Sequence, residues 1–202
     1  MVNKLKSHVT SSGIFKYPHL QGQGDTKFNP EGQFKVTLVW ENGDATDFCS
    51  LIDESHKKSI EQAKLQNKGK SIKTANVPYK LNEDKKVEAT FKLNAVGKSS
   101  KTGNTWTQKP AIFDAKGNPM ELKETIWGGT KGKISFQIVP YYTAMIGAGV
   151  SLRLKACQVL DLVTGQVGGD SFGFSEEDGY EYKKQSKIDA EWQEKETNSE
   201  DF

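Results

Sequence analysis

Apolar and polar residues alternate with a period of two in four stretches of the chain, at 34–40, 87–95, 134–138 and 150–154. This alternation is typical of β-strands that bury one face and expose the other. A sheet of such strands can enclose a core and keep its second face in water. We therefore predict that the apolar set of each stretch, including Trp40 at the end of the first, lies in the core.

One stretch follows a helical period instead. Between residues 44 and 66 the apolar side chains recur at the spacing of a single helical stripe, at Phe48, Leu51, Ile52, Ile60 and Ala63. Asp44 or Thr46 is the expected N-cap. Glycine and asparagine between the other stretches, as at Gly103-Asn104 and Gly117-Asn118, predict short turns. The chain is thus predicted to be all-β, or mainly β with one helix.

Five or more strands with short turns and one inserted helix fit a five-stranded oligonucleotide/oligosaccharide-binding barrel, although a β-sandwich gives a similar pattern. We predict the barrel over residues 1–165. Gly165, Gly168, Gly169 and Gly173 indicate a flexible connection, and no apolar periodicity survives from Ser175 onward, so residues 166–202 are predicted to be a flexible acidic C-terminal tail. No apolar run reaches membrane-spanning length, so no membrane contact is expected, and a start without a signal sequence predicts a cytoplasmic protein.

Charge is distributed unevenly along the chain. Residues 161–202 contain twelve acidic residues and four lysines, whereas residues 1–160 contain 24 basic and 14 acidic residues. The formal net charge of +2 therefore hides a net charge of +10 on residues 1–160 and of −8 on residues 161–202. A body of that sign attracts polyanions, and the tail can compete with them or recruit a basic partner.

No catalytic motif is visible. The Lys-Gly-Lys-Ser sequence at 68–71 lacks the first glycine of a phosphate-binding loop. His8, His19 and His56 have no metal-ligand spacing, and the two cysteines, Cys49 and Cys157, form no Cys-x-x-Cys pair, so both are predicted to be buried thiols. We expect no enzymatic activity, no cofactor and no metal.

Nucleic-acid binding is better supported by the sequence. Three windows of the body, at 62–82, 89–113 and 125–160, contain basic residues and aromatics but no acids. Lysines can follow phosphates while unpaired bases stack on aromatic rings. The candidate residues are Tyr141, Trp106, Trp127, Tyr142, Tyr79, Lys35, Lys98, Lys101, Lys109, Lys131, Lys133 and Arg153. Arg153 is the only arginine among 28 basic residues, and base reading favours arginine, so binding is expected to ignore sequence.

Several short motifs resemble a known family. They are DAKGNPM at 114–120, GGTKGK at 128–133, IVPY at 138–141 and GAGVSLRL at 147–154, preceded by similar stretches at 17–18 and 28–36 and followed by a C-terminal Glu200-Asp201-Phe202. In this order they resemble the single-stranded DNA-binding replication proteins of short-tailed bacteriophages. The resemblance covers about residues 12–163 and the chain's end.

The resemblance implies an oligonucleotide-binding barrel that coats single-stranded DNA in replication, recombination and repair within the host cytoplasm. It implies that Tyr141 lies at the DNA with Lys131, Lys133 and Arg153 nearby. It also implies that Glu200, Asp201 and Phe202 contact the phage DNA polymerase and helicase/primase, and it leaves homodimer formation open. Two other functions stay open: an RNA-binding barrel, and a metal-dependent nuclease.

Overall fold

The computed structural model describes residues 5–41, 43–68, 71–99, 102–120, 125–165, 175 and 177–179. These residues form one helix and ten strands. In chain order the elements are β1 (Ser7–Val9), β2 (Gly13–His19), β3 (Gln33–Trp40), α1 (Thr46–Gln66), β4 (Tyr79–Leu81), β5 (Val87–Asn94), β6 (Val96–Lys98), β7 (Thr105–Thr107), β8 (Ala111–Phe113), β9 (Lys131–Thr143) and β10 (Gly147–Asp161).

Five strands pair in a ring, in the order β9, β2, β3, β5, β10 and back to β9. β1, β4 and β8 add to the outside of this ring, and β6 pairs with β7 in a separate hairpin. The shortest ladder in the ring is that between β5 and β10, where the parallel pairing has the single register pair Lys92 and Arg153. The fold is therefore an oligonucleotide-binding type of barrel, as predicted, that is not strictly closed along this seam.

The four predicted strands are confirmed as β3, β5, β9 and β10. Their apolar sets face inward, and Phe34, Trp40, Phe91 and Phe136 are all at most 3% exposed. The predicted sandwich alternative is wrong, because β9, β2, β3, β5 and β10 belong to one continuous sheet that curves into a ring rather than to two stacked sheets. Of the two cysteines, Cys157 is buried and Cys49 is half-buried, and both are free thiols.

Helix α1 begins at Thr46 and packs on the barrel core through Phe48, whose ring centroid lies 4.8 Å from that of Trp40 and 5.8 Å from that of Phe136. The predicted capping by Asp44 or Thr46 is wrong. Ala45 is the N-cap and no side chain caps the helix, because the Thr46 hydroxyl instead donates to the Gly43 carbonyl oxygen at 2.9 Å.

The chain divides into two units, Met1–Gln166 and Val167–Phe202. The first contains the barrel and α1. Of the second, the structure describes residues 175 and 177–179, so the predicted flexible tail and its Glu200, Asp201 and Phe202 lie outside the described residues. Among the described residues, no helix is long and apolar enough to cross a membrane.

Candidate nucleic-acid interface

A cleft of about 1260 Å³ lies over the seam between β5 and β10. Its walls come from the segment 76–80, from β5 and β10, from the β6–β7 hairpin and from Tyr141 on β9. The polar faces of β5 and β10 form its floor, because the alternation that buries Phe91 and Leu152 turns Lys92 and Arg153 outward. The cleft therefore gathers segments that are distant in the sequence.

Three cations lie in a row across the barrel strands. Lys92 on β5 is in register with Lys35 on β3 and with Arg153 on β10. Neighbouring strands are about 4.8 Å apart, so these backbone positions span about 10 Å. We call Lys35, Lys92 and Arg153 the cation row. Lys35 also forms an ion pair with Asp25, which lowers the pKa of that carboxyl through a side-chain hydrogen bond.

The cleft carries a positive charge. Its described lining residues include two carboxylates, Glu31 and Glu88, and five cations: Lys80, Lys92, Lys98, Arg153 and Lys155. The Glu88 carboxylate is only 6% exposed and accepts hydrogen bonds from Lys16 Nζ at 3.0 Å and Asn82 Nδ2 at 3.1 Å. Burial of the carboxyl opposes its ionisation, but these two bonds and the positive charges of Lys16 and Lys80 together outweigh the burial and lower the pKa of Glu88.

Trp106 borders the cleft from the β6–β7 hairpin and is 50% exposed. It lies in register with Gly97, and its indole covers that residue so closely that a Cβ built on Gly97 would lie 2.4 Å from Cε2. The hairpin turn beneath it uses Gly103 at a φ of 73°, a value that favours glycine. A large ring with an open face at the cleft is suited to stacking on a base.

Tyr141 and Tyr79 line other parts of the cleft. Tyr141 lies opposite Gly149, and a Cβ on Gly149 would be 3.0 Å from the Tyr141 hydroxyl oxygen. Tyr79 is held more tightly, because its hydroxyl donates to Asp53 Oδ1 on α1 at 2.8 Å and its ring packs on Phe48. Burial, followed by the bond to Asp53, raises the pKa of Tyr79 to about 12. Tyr79 therefore acts as part of the wall.

Helix α1 holds that wall in place. His56 Nε2 lies 2.9 Å from the Ala75 carbonyl oxygen, and the Ser59 hydroxyl donates to the Gly149 carbonyl oxygen at 2.8 Å. The Ala75 amide in turn donates to the Ala148 carbonyl oxygen at 2.9 Å. The inserted helix thus fixes the segment before β4 against the start of β10.

The structure brings together part of the predicted site. Five of the candidates line the cleft: Tyr141, Trp106, Tyr79, Lys98 and Arg153. Lys35 lies next to the cleft, as a member of the cation row. Five others are placed away from its lining, namely Trp127, Tyr142, Lys109, Lys131 and Lys133. Lys101 lies outside the described residues.

Sequence reasoning missed Lys92, Lys80 and Lys155 as candidates. A signal for Lys92 was present, because it alternates with the buried Phe91 and Leu93 and must face outward. The alternation does not show that β5 and β10 pair in parallel, and that pairing is what puts Lys92 beside Arg153.

A second cleft of about 620 Å³ has the opposite character. Lys131 lines it with Lys16 and Lys86, but so do four carboxylates, those of Glu41, Asp44, Asp84 and Glu88. It is therefore a poor site for a polyanion. In the described part of the chain, no group of three or more His, Cys, Asp or Glu side chains could hold a metal ion.

A barrel with a cationic cleft bordered by aromatic rings defines the class of oligonucleotide-binding proteins. The family described as "Single-stranded DNA-binding protein, Bacteriophage T7" matches residues 16–162, most of the barrel. The chain belongs to this family. As members of this family are non-enzymatic binding proteins, this chain is a phage single-stranded DNA-binding protein and not an enzyme.

Individual relatives agree. The single-stranded DNA-binding protein of Enterobacteria phage T3 is 28% identical over 186 residues, covering 83% of this chain and 80% of the relative. The single-stranded DNA-binding protein of Escherichia phage T7 is 28% identical over 167 residues, covering 75% of this chain and 72% of the relative.

Solved structures show the same fold. The crystal structure of gp2.5, a single-stranded DNA-binding protein encoded by bacteriophage T7, matches with a TM-score of 0.71 at 24% identity, covering 89% of this chain and all of that one. The structure of the single-stranded DNA-binding protein from bacteriophage Enc34, in complex with ssDNA, matches with a TM-score of 0.56 at 15% identity. The match covers 77% of this chain and 86% of the Enc34 chain.

Proposed function

We propose that this chain binds single-stranded DNA along the seam cleft, with the cation row following the phosphates and Trp106 and Tyr141 stacking on unpaired bases. The rings favour single strands, because a duplex hides the base faces. Binding is indifferent to sequence, because phosphate contacts carry no sequence information and the chain has a single arginine.

The register of Lys92 carries this proposal. Like charges directly opposite each other on neighbouring strands destabilise a sheet. Lys92 nevertheless faces Lys35 on one side and Arg153 on the other. A polyanion lying across the three strands would neutralise that repulsion. The arrangement is therefore expected in a protein that binds nucleic acid.

The wider role follows from the family. We propose that the chain works in phage DNA replication, recombination and repair, in the host cytoplasm. Its acidic tail at 166–202, through Glu200, Asp201 and Phe202, recruits the phage DNA polymerase and helicase/primase. Homodimer formation stays a prediction, which sedimentation of the full chain with and without DNA would test.

The test of binding is a salt titration of the full chain against oligo-dT, a matched duplex and a matched RNA. Oligo-dT should bind tightest, and log affinity should fall with log salt by about 0.7 per phosphate contact. Arg153→Gln should make that slope shallower by about 0.7, whereas Lys116→Gln, on an exposed turn away from the cleft lining, should leave it unchanged.

Other outcomes point to the rival functions. Tighter binding of the matched RNA would favour the RNA-binding reading, because only RNA offers a 2′-hydroxyl. Cleavage of labelled DNA in the presence of Mg²⁺ would favour the nuclease reading. Equal affinity for oligo-dT and duplex, or equal slopes for the Arg153 and Lys116 variants, would reject the proposed cleft.

A further inference from the structure

The position of Trp106 depends on a glycine directly beneath it. A Cβ built on Gly97 would lie 2.4, 2.6 and 2.7 Å from Cε2, Cζ2 and Nε1 of the indole. Gly97 does not have a positive φ, so its backbone would accept other residues. The ring, and not the backbone, is what requires glycine at this position.

The edge of the same ring is held by Gln108. The indole Nε1 donates to Gln108 Oε1 at 3.3 Å, and Gln108 Nε2 donates to the Asn94 carbonyl oxygen at 3.0 Å. The backbone N–H of Gln108 also donates to the Ala95 carbonyl oxygen at 2.8 Å. Nε1–H is the only donor of a tryptophan side chain. The hydrogen bond from Nε1 to Gln108 therefore restrains rotation of the indole about its Cβ–Cγ bond.

These contacts link the hairpin to the barrel. Asn94 is the last residue of β5 and lines the cleft, two positions beyond Lys92. Gln108 therefore connects the indole to the strand that carries the centre of the cation row. With one face on Gly97 and its N–H engaged, the indole offers its remaining face to a ligand.

We propose that Gly97 and Gln108 are positioning residues that hold the Trp106 indole as a preformed stacking platform for a base of the bound strand. This rests on the proposed function and assigns a role to two residues that do not themselves stack. A ring that is already fixed loses little freedom on binding, whereas immobilising a free side chain lowers affinity about two- to tenfold.

The test is a set of double-mutant cycles on oligo-dT affinity at one fixed salt concentration. Gln108→Leu should weaken binding about two- to tenfold in the otherwise unchanged chain and have no effect in the Trp106→Ala background. Gly97→Ala should behave in the same way, because its added Cβ displaces the ring only when a ring is there. Circular dichroism checks that each variant is folded.

Gln33→Leu is the matched control. Gln33 Nε2 donates to Asn94 Oδ1 at 2.9 Å, so the variant loses an amide hydrogen bond to the same asparagine without touching Trp106. Its oligo-dT affinity should stay within twofold of the unchanged chain.

The outcomes separate this proposal from the function on which it rests. An unchanged chain that does not bind oligo-dT rejects the proposed function itself. Normal binding of oligo-dT with no effect of Gln108→Leu overturns the positioning role. So does an effect of Gln108→Leu that persists in the Trp106→Ala background, because it would then act through the sheet or directly on DNA.

Discussion

Lys35 and Lys92 face each other directly on the antiparallel strands β3 and β5, and Lys35 is the one that also pairs with a carboxylate, that of Asp25. The Cα atoms of such a cross-strand pair lie about 4.5–5.5 Å apart. Asp25 thus offsets part of the charge of the cation row. The repulsion between Lys35 and Lys92 lowers the stability of the sheet, whereas their combined charge attracts a polyanion. Unfolding and DNA-binding measurements can test the two effects separately.

Removing the Asp25 charge should strengthen DNA binding. Asp25→Asn keeps a side-chain oxygen for the Lys27 amide, which donates to Oδ1 at 2.9 Å, but it releases Lys35 from its ion pair. We expect oligo-dT affinity at low salt to rise by a few-fold and the salt slope to steepen by up to about 0.7. Glu54→Gln, which releases Lys58 on α1, is the control and should change neither quantity.

Removing the central cation should have opposite effects on stability and binding. Lys92→Thr relieves like-charge repulsion and suits a strand, so urea unfolding should show a gain of about 0.2–1 kcal/mol. The salt slope for oligo-dT should become shallower by about 0.7. Lys133→Thr, on β9 opposite the uncharged Gln158, makes the same exchange without relieving a like-charge pair, so it should leave the salt slope unchanged and stabilise the sheet less than Lys92→Thr does. A Lys92 variant that binds as well as the unchanged chain would contradict the cation row.

Stacking by Tyr141 is tested by its truncation. Tyr141→Ala should reduce oligo-dT affinity by about 1–3 kcal/mol, the usual value of one base on one ring. Tyr142→Ala and Trp127→Ala remove rings that do not line the cleft and should cost little. Fluorescence anisotropy on folded variants gives the comparison, and equal losses at all three positions would mean that the cleft is not the site.

Buried Glu88 should make stability depend on pH. Its pKa is lowered in the folded chain, so the carboxylate stabilises the fold above its ordinary value of 4.5, and this contribution disappears as the pH falls through the lowered value. Glu88→Gln should destabilise the protein by about 1–3 kcal/mol at pH 7. The difference from the unchanged chain should shrink at pH 3.5 in urea unfolding; a constant difference would contradict the assignment.

The tail prediction concerns residues outside the described part of the chain. Residues 175–202 contain ten acids and four lysines, a net charge of −6. If this segment competes with DNA, its deletion should tighten oligo-dT binding at low salt and have a smaller effect at high salt, where charges are screened. Removal of Phe202 alone should leave DNA affinity unchanged while weakening capture of the phage polymerase. No change on deletion would reject the competition.

The elements that could be predicted are those specified by local pattern. The alternation in β3, β5, β9 and β10 fixed which side chains are buried, and the helical stripe located α1 to within two residues of its start. The helix cap was predicted wrongly because the Thr46 hydroxyl bonds backward to Gly43, a choice that depends on the loop before the helix. Among the residues proposed for the site, Trp106 could be singled out from the sequence because it lies beside the polar Gly103-Asn104 turn, and the structure leaves its ring half exposed.

By itself the sequence determined a basic β-rich body with one helix and an acidic C-terminal segment. These follow from periodicity and charge, which are properties of neighbouring residues. Only the tertiary structure decided which cations and rings share one cleft. Pairing of β5 with β10 joins Lys92 to Arg153 across 60 residues of chain, and such a long-range choice depends on how the whole barrel packs rather than on the residues beside either strand.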